Sequence, residues 1–445
     1  MKIKRILAAL VPLSLMLLLS GCFTKSAEEL YSLPQLSEGY LQLQEQLDAV
    51  QSAGAEFSAP TSGMNRQSVQ LEDVDGDGMK EALAFFSVQG DEKPLKIIIF
   101  RNINGAYAEA ARIEGEGANI DSVYYTDMNG DGQKEIIVGW QISAGIGMLS
   151  LYSARDFQIT TLLSTNYTGY NVYDLNRDEC SDLLVTNLST SDLSGEVELF
   201  SLTSDGEVAS TSARLTSGVE SVMRVRTGYV RAKVPALFVE SVINGSSLVT
   251  DIFTCINNNI RNITADVKSG VSEDTIRTYN VYCTDVNADG TLEVPYPQLL
   301  PSQSETTSYW AIDWYVYNAY GVSEPVLTTY HNYSDGWYLI LPDGWRGNIA
   351  VRREDTVSGA RAVVFSVFGE SSSAPQDFLV IYTLSGANRE EQAKVSGRFI
   401  LAQEDETVYA AKLLIDSNDF PLTADKETIK QNFSIIRSEW ITGET

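Results

Sequence analysis

The chain has one histidine, His331, in 445 residues. A Ser-His-Asp triad would have to be built on it, and the surrounding TTYHNYSDG offers no nucleophile elbow and no partners. Zinc hydrolases draw on two or three histidines, so that chemistry is unsupported too. His331 is therefore expected to be a surface-loop residue. Cysteine is almost as scarce: beyond Cys22 there are only Cys180, Cys255 and Cys283, an odd number without paired metal spacing. An oxidising exterior permits one disulfide, for which Cys255 with Cys283 is the choice because both fall on predicted strands of neighbouring repeats; free buried thiols are the alternative. Basic side chains are outnumbered 32 to 59, giving a net charge of -27. Phosphate binding needs basic patches, so nucleic acid is not an expected partner. No glycine-rich phosphate loop follows a strand. Glycosidases need only two acids, and no pair is marked among the 59. These absences lead to the expectation that the protein is not an enzyme.

A long apolar run is missing as well. Lys2, Lys4 and Arg5 precede an apolar stretch at 6–19 that is too short to span a membrane and ends in Leu19-Ser20-Gly21-Cys22. This reads as a signal peptide over 1–21 and resembles a bacterial lipoprotein box. The resemblance implies diacylglycerol transfer to Cys22, cleavage after Gly21, and a mature protein that is extracytoplasmic and lipid-anchored to the bacterial cell membrane. Cleavage would shift the net charge to about -30. Residues 22–56 read as a lipidated tether and a short helix, with Leu41, Leu43, Leu47 and Val50 at mixed helical spacing.

What the chain does have is a repeated acidic loop. In YYTDMNGDGQKEIIVGW, Asp127, Asn129, Asp131 and Glu135 occupy relative positions one, three, five and nine. LEDVDGDGMKEALAFF places Asp73, Asp75, Asp77 and Glu81 at the same offsets, and VYCTDVNADGTLEVPYP places Asp285, Asn287, Asp289 and Glu293 there. A weaker copy, VYDLNRDECSDLLVTN, keeps Asp174, Asn176, Asp178 and Asp182 but has Glu179 in place of the glycine at position six. Asn, Asp and Gly can build a turn without metal. Oxygen ligands at alternate positions around a glycine turn also suit a hard cation such as Ca²⁺. An EF-hand needs a glutamate at position twelve on an exiting helix. Position twelve here is Ala84, Val138, Val185 or Tyr296, and the exits are β-branched and apolar like strands.

The loops start 54, 47 and 111 residues apart, and the last gap is about double. A degenerate copy is expected near residue 227, with a turn at Thr227-Gly228 and arginines 224, 226 and 231 in place of acids. Short strands repeating about every 50 residues point to a propeller or another repeat array. Asp-x-Asp-x-Asp-Gly-x-x-Glu between strands resembles the FG-GAP or VCBS repeat of integrin-type β-propellers, over residues 57–330. The resemblance implies a mainly β fold of about five four-stranded blades, with the acidic loop joining the first two strands of a blade. It also implies three to four structural Ca²⁺ sites held by the sixteen residues named above, with main-chain carbonyls from Met79, Gln133, Cys180 and Thr291.

After residue 330 the acidic repeat stops. Alternating strands and a capped helix at 423–433 predict a small α+β domain over 331–445. Aromatics crowd the junction, and Trp310, Trp314, Trp337 and Trp345 are candidates for ligand binding, with burial between strands the competing reading. The function expected is that of a non-catalytic, membrane-anchored lipoprotein whose calcium-stabilised propeller binds a protein or glycan ligand or scaffolds an envelope assembly. The alternatives are an extracellular polysaccharide-degrading lyase or glycosidase, and an accessory or sensor subunit of a membrane complex.

Overall fold

The computed structural model describes residues 38–104, 106–189, 194–301, 308–355, 360–368, 375–395, 397–415, 422 and 424–436. The expected signal peptide, the expected lipid acceptor Cys22 and the part of the expected tether before residue 38 lie outside them. Among the described residues no helix is long and apolar enough to cross a membrane.

The chain is mainly β and forms six antiparallel sheets of four or five strands. The first comprises Ala55–Phe57, Val69–Glu72, Glu81–Val88, Leu95–Ile103 and Ala106–Gly115; the second runs from Asn119–Thr126 to Thr160–Tyr167; the third from Gly169–Tyr173 to Val208–Arg214; and the fourth from Val219–Val230 to Asn259–Asn262. In these sheets sequence neighbours pair by hairpins, so register is set locally, except that Ala55–Phe57 passes over Val69–Glu72 to pair with Glu81–Val88. The fifth sheet takes Val294–Leu300, Tyr309–Tyr317, Ser323–Asn332 and Trp337–Leu341, then the distant strand Phe433–Ile435. The sixth takes Ile349–Asp355, Ala360–Val367, Gln376–Ser385, Thr407–Leu413 and Arg398–Gln403 in spatial order.

Each sheet is buried on both faces, which is why the central strands read as unbroken apolar runs. In the first, Leu83 and Phe85 pack with Ile97 and Ile99 against Ile136 and Val138 of the second. The alternate residues Ala82, Ala84 and Phe86 face the other way, under Leu43 and Leu47 of the helix Glu38–Ser52. The series continues with Ile137 and Leu149 on Leu183 and Val185, Leu184 and Leu199 on Leu237 and Val249, and Phe238 and Ile252 on Val294 and Tyr317. Trp337 and Leu339 then meet Val351 and Phe365. Ala393, in the short helix Arg389–Ala393, packs with Ala360 and Leu384 on the far face of the sixth sheet. Among the described residues no buried apolar cluster joins the first sheet to the sixth.

Several expectations change. The boundary expected between residues 330 and 331 falls inside the strand Ser323–Asn332. The segment expected as an α+β domain holds the sixth sheet, part of the fifth, and the helix Lys426–Asn432, whose N-cap Asp425 accepts from the Thr428 amide. The fourth repeat exists, but Thr227 and Gly228 are not its turn. Strand Val219–Val230 runs through them, and the turn is Arg231–Lys233, with Ala232 and Lys233 at φ of 61° and 54°. Gly228 is small because Leu292 presses on it: a Cβ there would lie 2.6 Å from Leu292 Cδ1. The three described cysteines are free, so Cys255 and Cys283 are not bridged. His331 is no loop residue but sits buried in a strand among Trp314, Tyr333 and Tyr338, with Nδ1 3.0 Å from the Tyr333 hydroxyl.

The fourth sheet also carries a buried ion network. Glu240, Arg277 and Arg224 are 1%, 4% and 7% exposed. Glu240 Oε1 accepts from Arg277 Nη2 at 2.7 Å and from the Cys283 amide at 2.8 Å, and Arg224 Nη1 stands 3.8 Å from Oε2. Arg277 also donates to the Val281 carbonyl and to Thr250 Oγ1. The network pins the long connection at 263–293 to the fourth sheet.

Candidate metal centres

The acidic loops share one local geometry because each short side chain binds the amide two to five residues ahead. Asp73 accepts from the Gly76 and Gly78 amides at 2.9 and 3.0 Å, and Asp127 from Gly130 and Gly132 at 2.7 and 2.8 Å. Asp174 accepts from Arg177 and Glu179 at 2.7 and 3.2 Å, and Asp285 from Asp289 and Gly290 at 3.0 and 2.7 Å. Position three accepts from the amide of five, as Asp75, Asn129, Asn176 and Asn287 do from Asp77, Asp131, Asp178 and Asp289. Position five accepts in turn from the amide of seven, at Met79, Gln133, Cys180 and Thr291.

This path puts positions four and six in the left-handed region. Glycine fills both in the first two loops, while Arg177 and Glu179 hold φ of 67° and 70° in the third. Glu179 therefore keeps the turn, at a steric cost that glycine avoids. Glu179→Gly is expected to raise stability by about 0.5–1 kcal/mol, read from the shift of a urea unfolding midpoint; a loss of stability would show that the Glu179 side chain supports the loop.

The acid at position nine opens the next strand. Glu81, Glu135, Asp182 and Glu293 are all buried, and one oxygen of each accepts from the amide of position two: Val74 at 3.2 Å, Met128 at 2.9 Å, Leu175 at 3.0 Å and Val286 at 3.0 Å. The other oxygen of Glu81 and of Glu293 is buried without a hydrogen-bond partner. Burial first, and the neighbouring aspartates after it, push these acids up: Glu81 and Glu135 to about 7, Asp182 to about 6 and Glu293 to about 8. A buried carboxylate with a bare oxygen is costly unless a proton or a cation satisfies it.

Two loops bring enough acids together to hold a cation. Ligand oxygens of Asp73, Asp75 and Glu81 lie within 4.8 Å of one another, and so do those of Asp285, Asp289 and Glu293. Among the described residues the carboxylates of the second and third loops do not converge to that extent. Basic groups stand beside three of the loops: Arg101 is 3.5 and 3.8 Å from Asp75 and Asp77, Arg155 pairs with Asp131, and Lys233 is 3.9 Å from Asp289.

The loops touch in series. The Lys134 amide donates to the Val74 carbonyl at 2.9 Å, and Thr126 to Ser181 at 3.0 Å. Arg177 donates to the Lys233 carbonyl and Lys233 to the Asp289 carbonyl, so the cationic turn of the fourth sheet bridges the third and fifth loops. Sequence reasoning identified the acids but not these bridging cations, whose only signal was a basic residue where the fourth loop lacks its acids.

Of the aromatic candidates, Trp314, Trp337 and Trp345 are 0–1% exposed and offer no ring face to a ligand. They fill the core around the fifth sheet, Trp314 donating to Thr329 Oγ1 and Trp345 to the Leu422 carbonyl. Trp310 alone of the four is half-buried.

No family model and no curated protein matches the chain. The solved structure of the rhamnogalacturonan lyase YesW is similar to it with a TM-score of 0.28 at 12% identity, over 72% of this chain and 73% of that one. The expectation that the chain is not an enzyme is corrected on this finding, because a protein it is matched with is itself a lyase. A likeness of this size assigns no activity; it withdraws the exclusion of one.

Proposed function

We propose that this chain is an extracytoplasmic lipoprotein, anchored through Cys22, whose sheets are FG-GAP/VCBS-like propeller blades tied by Ca²⁺ and present a binding face for a protein or glycan ligand or an envelope assembly. The observation that carries the metal part is the bare, buried oxygen of Glu81 and of Glu293, each beside two aspartates. A divalent cation would complete the coordination of both, and the hard oxygen donors suit Ca²⁺. Because the loops interlock along one edge, a cation in the first or fifth would stiffen neighbouring sheets as well as its own.

The test is calorimetric Ca²⁺ titration of the full chain, purified in detergent and stripped of metal, paired with thermal melts in chelator. Two to four sites are expected, with a melting temperature that rises with free Ca²⁺ as linkage requires. Glu81→Gln should remove one site and leave the fifth loop's site intact. Absence of binding heat, with identical melts in Ca²⁺ and chelator, would reduce the acids to turn formers.

A further inference from the structure

The fifth and sixth sheets and the long connection before the fifth loop enclose a cavity of about 230 Å³ that no acidic loop lines. One wall is an aromatic platform in which Tyr279 lies on one face of Trp310, with centroids 5.2 Å apart and 28° between the planes, and so backs the indole. Both rings are half-buried, so each keeps surface open to the cavity. The rim is polar and held in place. Ser334 Oγ donates to Asn332 Oδ1 at 2.8 Å and accepts from Arg353 at 3.2 Å, and the Arg353 amide donates to the Tyr309 hydroxyl at 3.0 Å. The Arg353 charge is matched by Asp355 at 2.9 Å, so the site has no uncompensated charge with which to select an ion.

This arrangement restricts the ligand. A flat apolar platform wants a flat apolar face, while a serine and a guanidinium at its edge want hydroxyls that accept and donate. A wholly apolar molecule would gain nothing from the rim, whereas a hydroxyl can donate to Ser334 Oγ and accept from Arg353. The volume is below the ~300 Å³ at which sites for drug-sized ligands begin, and admits a single ring. We propose that the cavity is a saccharide-binding site that takes one pyranose ring, its C–H face on the side of Trp310 that Tyr279 leaves uncovered and its hydroxyls on Ser334 and Arg353. This rests on the ligand-binding reading above and gives it a ligand class and a place. The place is far from the metal. Trp310 pairs with Leu299, whereas the acidic loop enters the same sheet beside Val294 and Tyr315, and five residues of strand span about 17 Å.

The experiment titrates the full chain in detergent with glucose, galactose, N-acetylglucosamine and galacturonate, following tryptophan emission and heat. Trp140, Trp314, Trp337 and Trp345 are buried, so a ring laid on Trp310 should dominate any spectral shift among the described residues. Saturable binding of at least one sugar is expected near millimolar. Trp310→Leu should weaken it at least tenfold by calorimetry, and Trp310→Tyr less. Should Trp310→Leu fail to fold, Arg353→Gln on the exposed rim must give a comparable loss. No binding by any of the four sugars, or wild-type affinity in both Trp310→Leu and Arg353→Gln, overturns the proposal. Repeating the titration in chelator separates the two readings. Sugar binding without Ca²⁺ sites would sink the metal reading alone, and filled Ca²⁺ sites without sugar binding would sink this one alone.

Discussion

Glu240→Ala is expected to cost about 3–5 kcal/mol of stability, measured by urea unfolding, because it strands Arg277 and Arg224 in the core. Both guanidiniums are nearly inaccessible, and Glu240 is the carboxylate that faces them. Glu240→Gln should cost less than Ala, since an amide oxygen can still accept from Arg277 and from the Cys283 amide. The loss should also be felt at a distance. The same carboxylate fixes residues 277–283, which include Tyr279 of the aromatic platform. Near-equal midpoints for wild type and Ala would mean that water reaches the arginines, and the network would then count for little.

Acid should remove the stability that the one histidine contributes. Burial among Trp314, Tyr333 and Tyr338 lowers the His331 pKa from 6.5 to about 3. The folded pKa lies below the unfolded one, so the histidine's contribution is intact above pH 6.5 and is lost progressively as pH falls toward 3. The slope is roughly 1.4 kcal/mol per pH unit inside that window. The buried loop acids act in the opposite sense, because their folded pKa values are raised. The measurement is therefore the difference between wild type and His331→Gln, which stays neutral and can still pair with Tyr333. That difference should grow between pH 6.5 and 4.5, and a constant difference would show that His331 is protonated in the native state.

The acidic loops were legible in the sequence because their geometry is local: each Asp or Asn reaches an amide within five residues, so spacing alone prescribes the turn. The strands after them were legible for the same reason that their faces were not. In a stack of sheets buried on both sides, alternation marks no solvent face, and Trp310 cannot be told from Trp314 by pattern. Only the way the connection at 279–286 lies over this face of the fifth sheet, closing on Trp314 and leaving Trp310 beside Tyr279, separates a half-open ring from a core ring. Gly228 misled because glycine signals turns, while here it answers to Leu292, 64 positions away. The tail misled because its last strand pairs with a partner far back in the chain, and long-range pairing leaves no trace in local spacing.

That last pairing has a consequence for how the protein is made. Phe433–Ile435 lies on Trp337–Leu341, so the fifth sheet brackets the whole of the sixth. A chain synthesised from its N-terminus can complete its first four sheets as each hairpin emerges. The fifth must wait with an open edge, a template for pairing with other chains, until the end of the polypeptide arrives. Premature termination before residue 433 would thus produce a sticky molecule rather than a merely shorter one, with the edge of Trp337–Leu341 left bare.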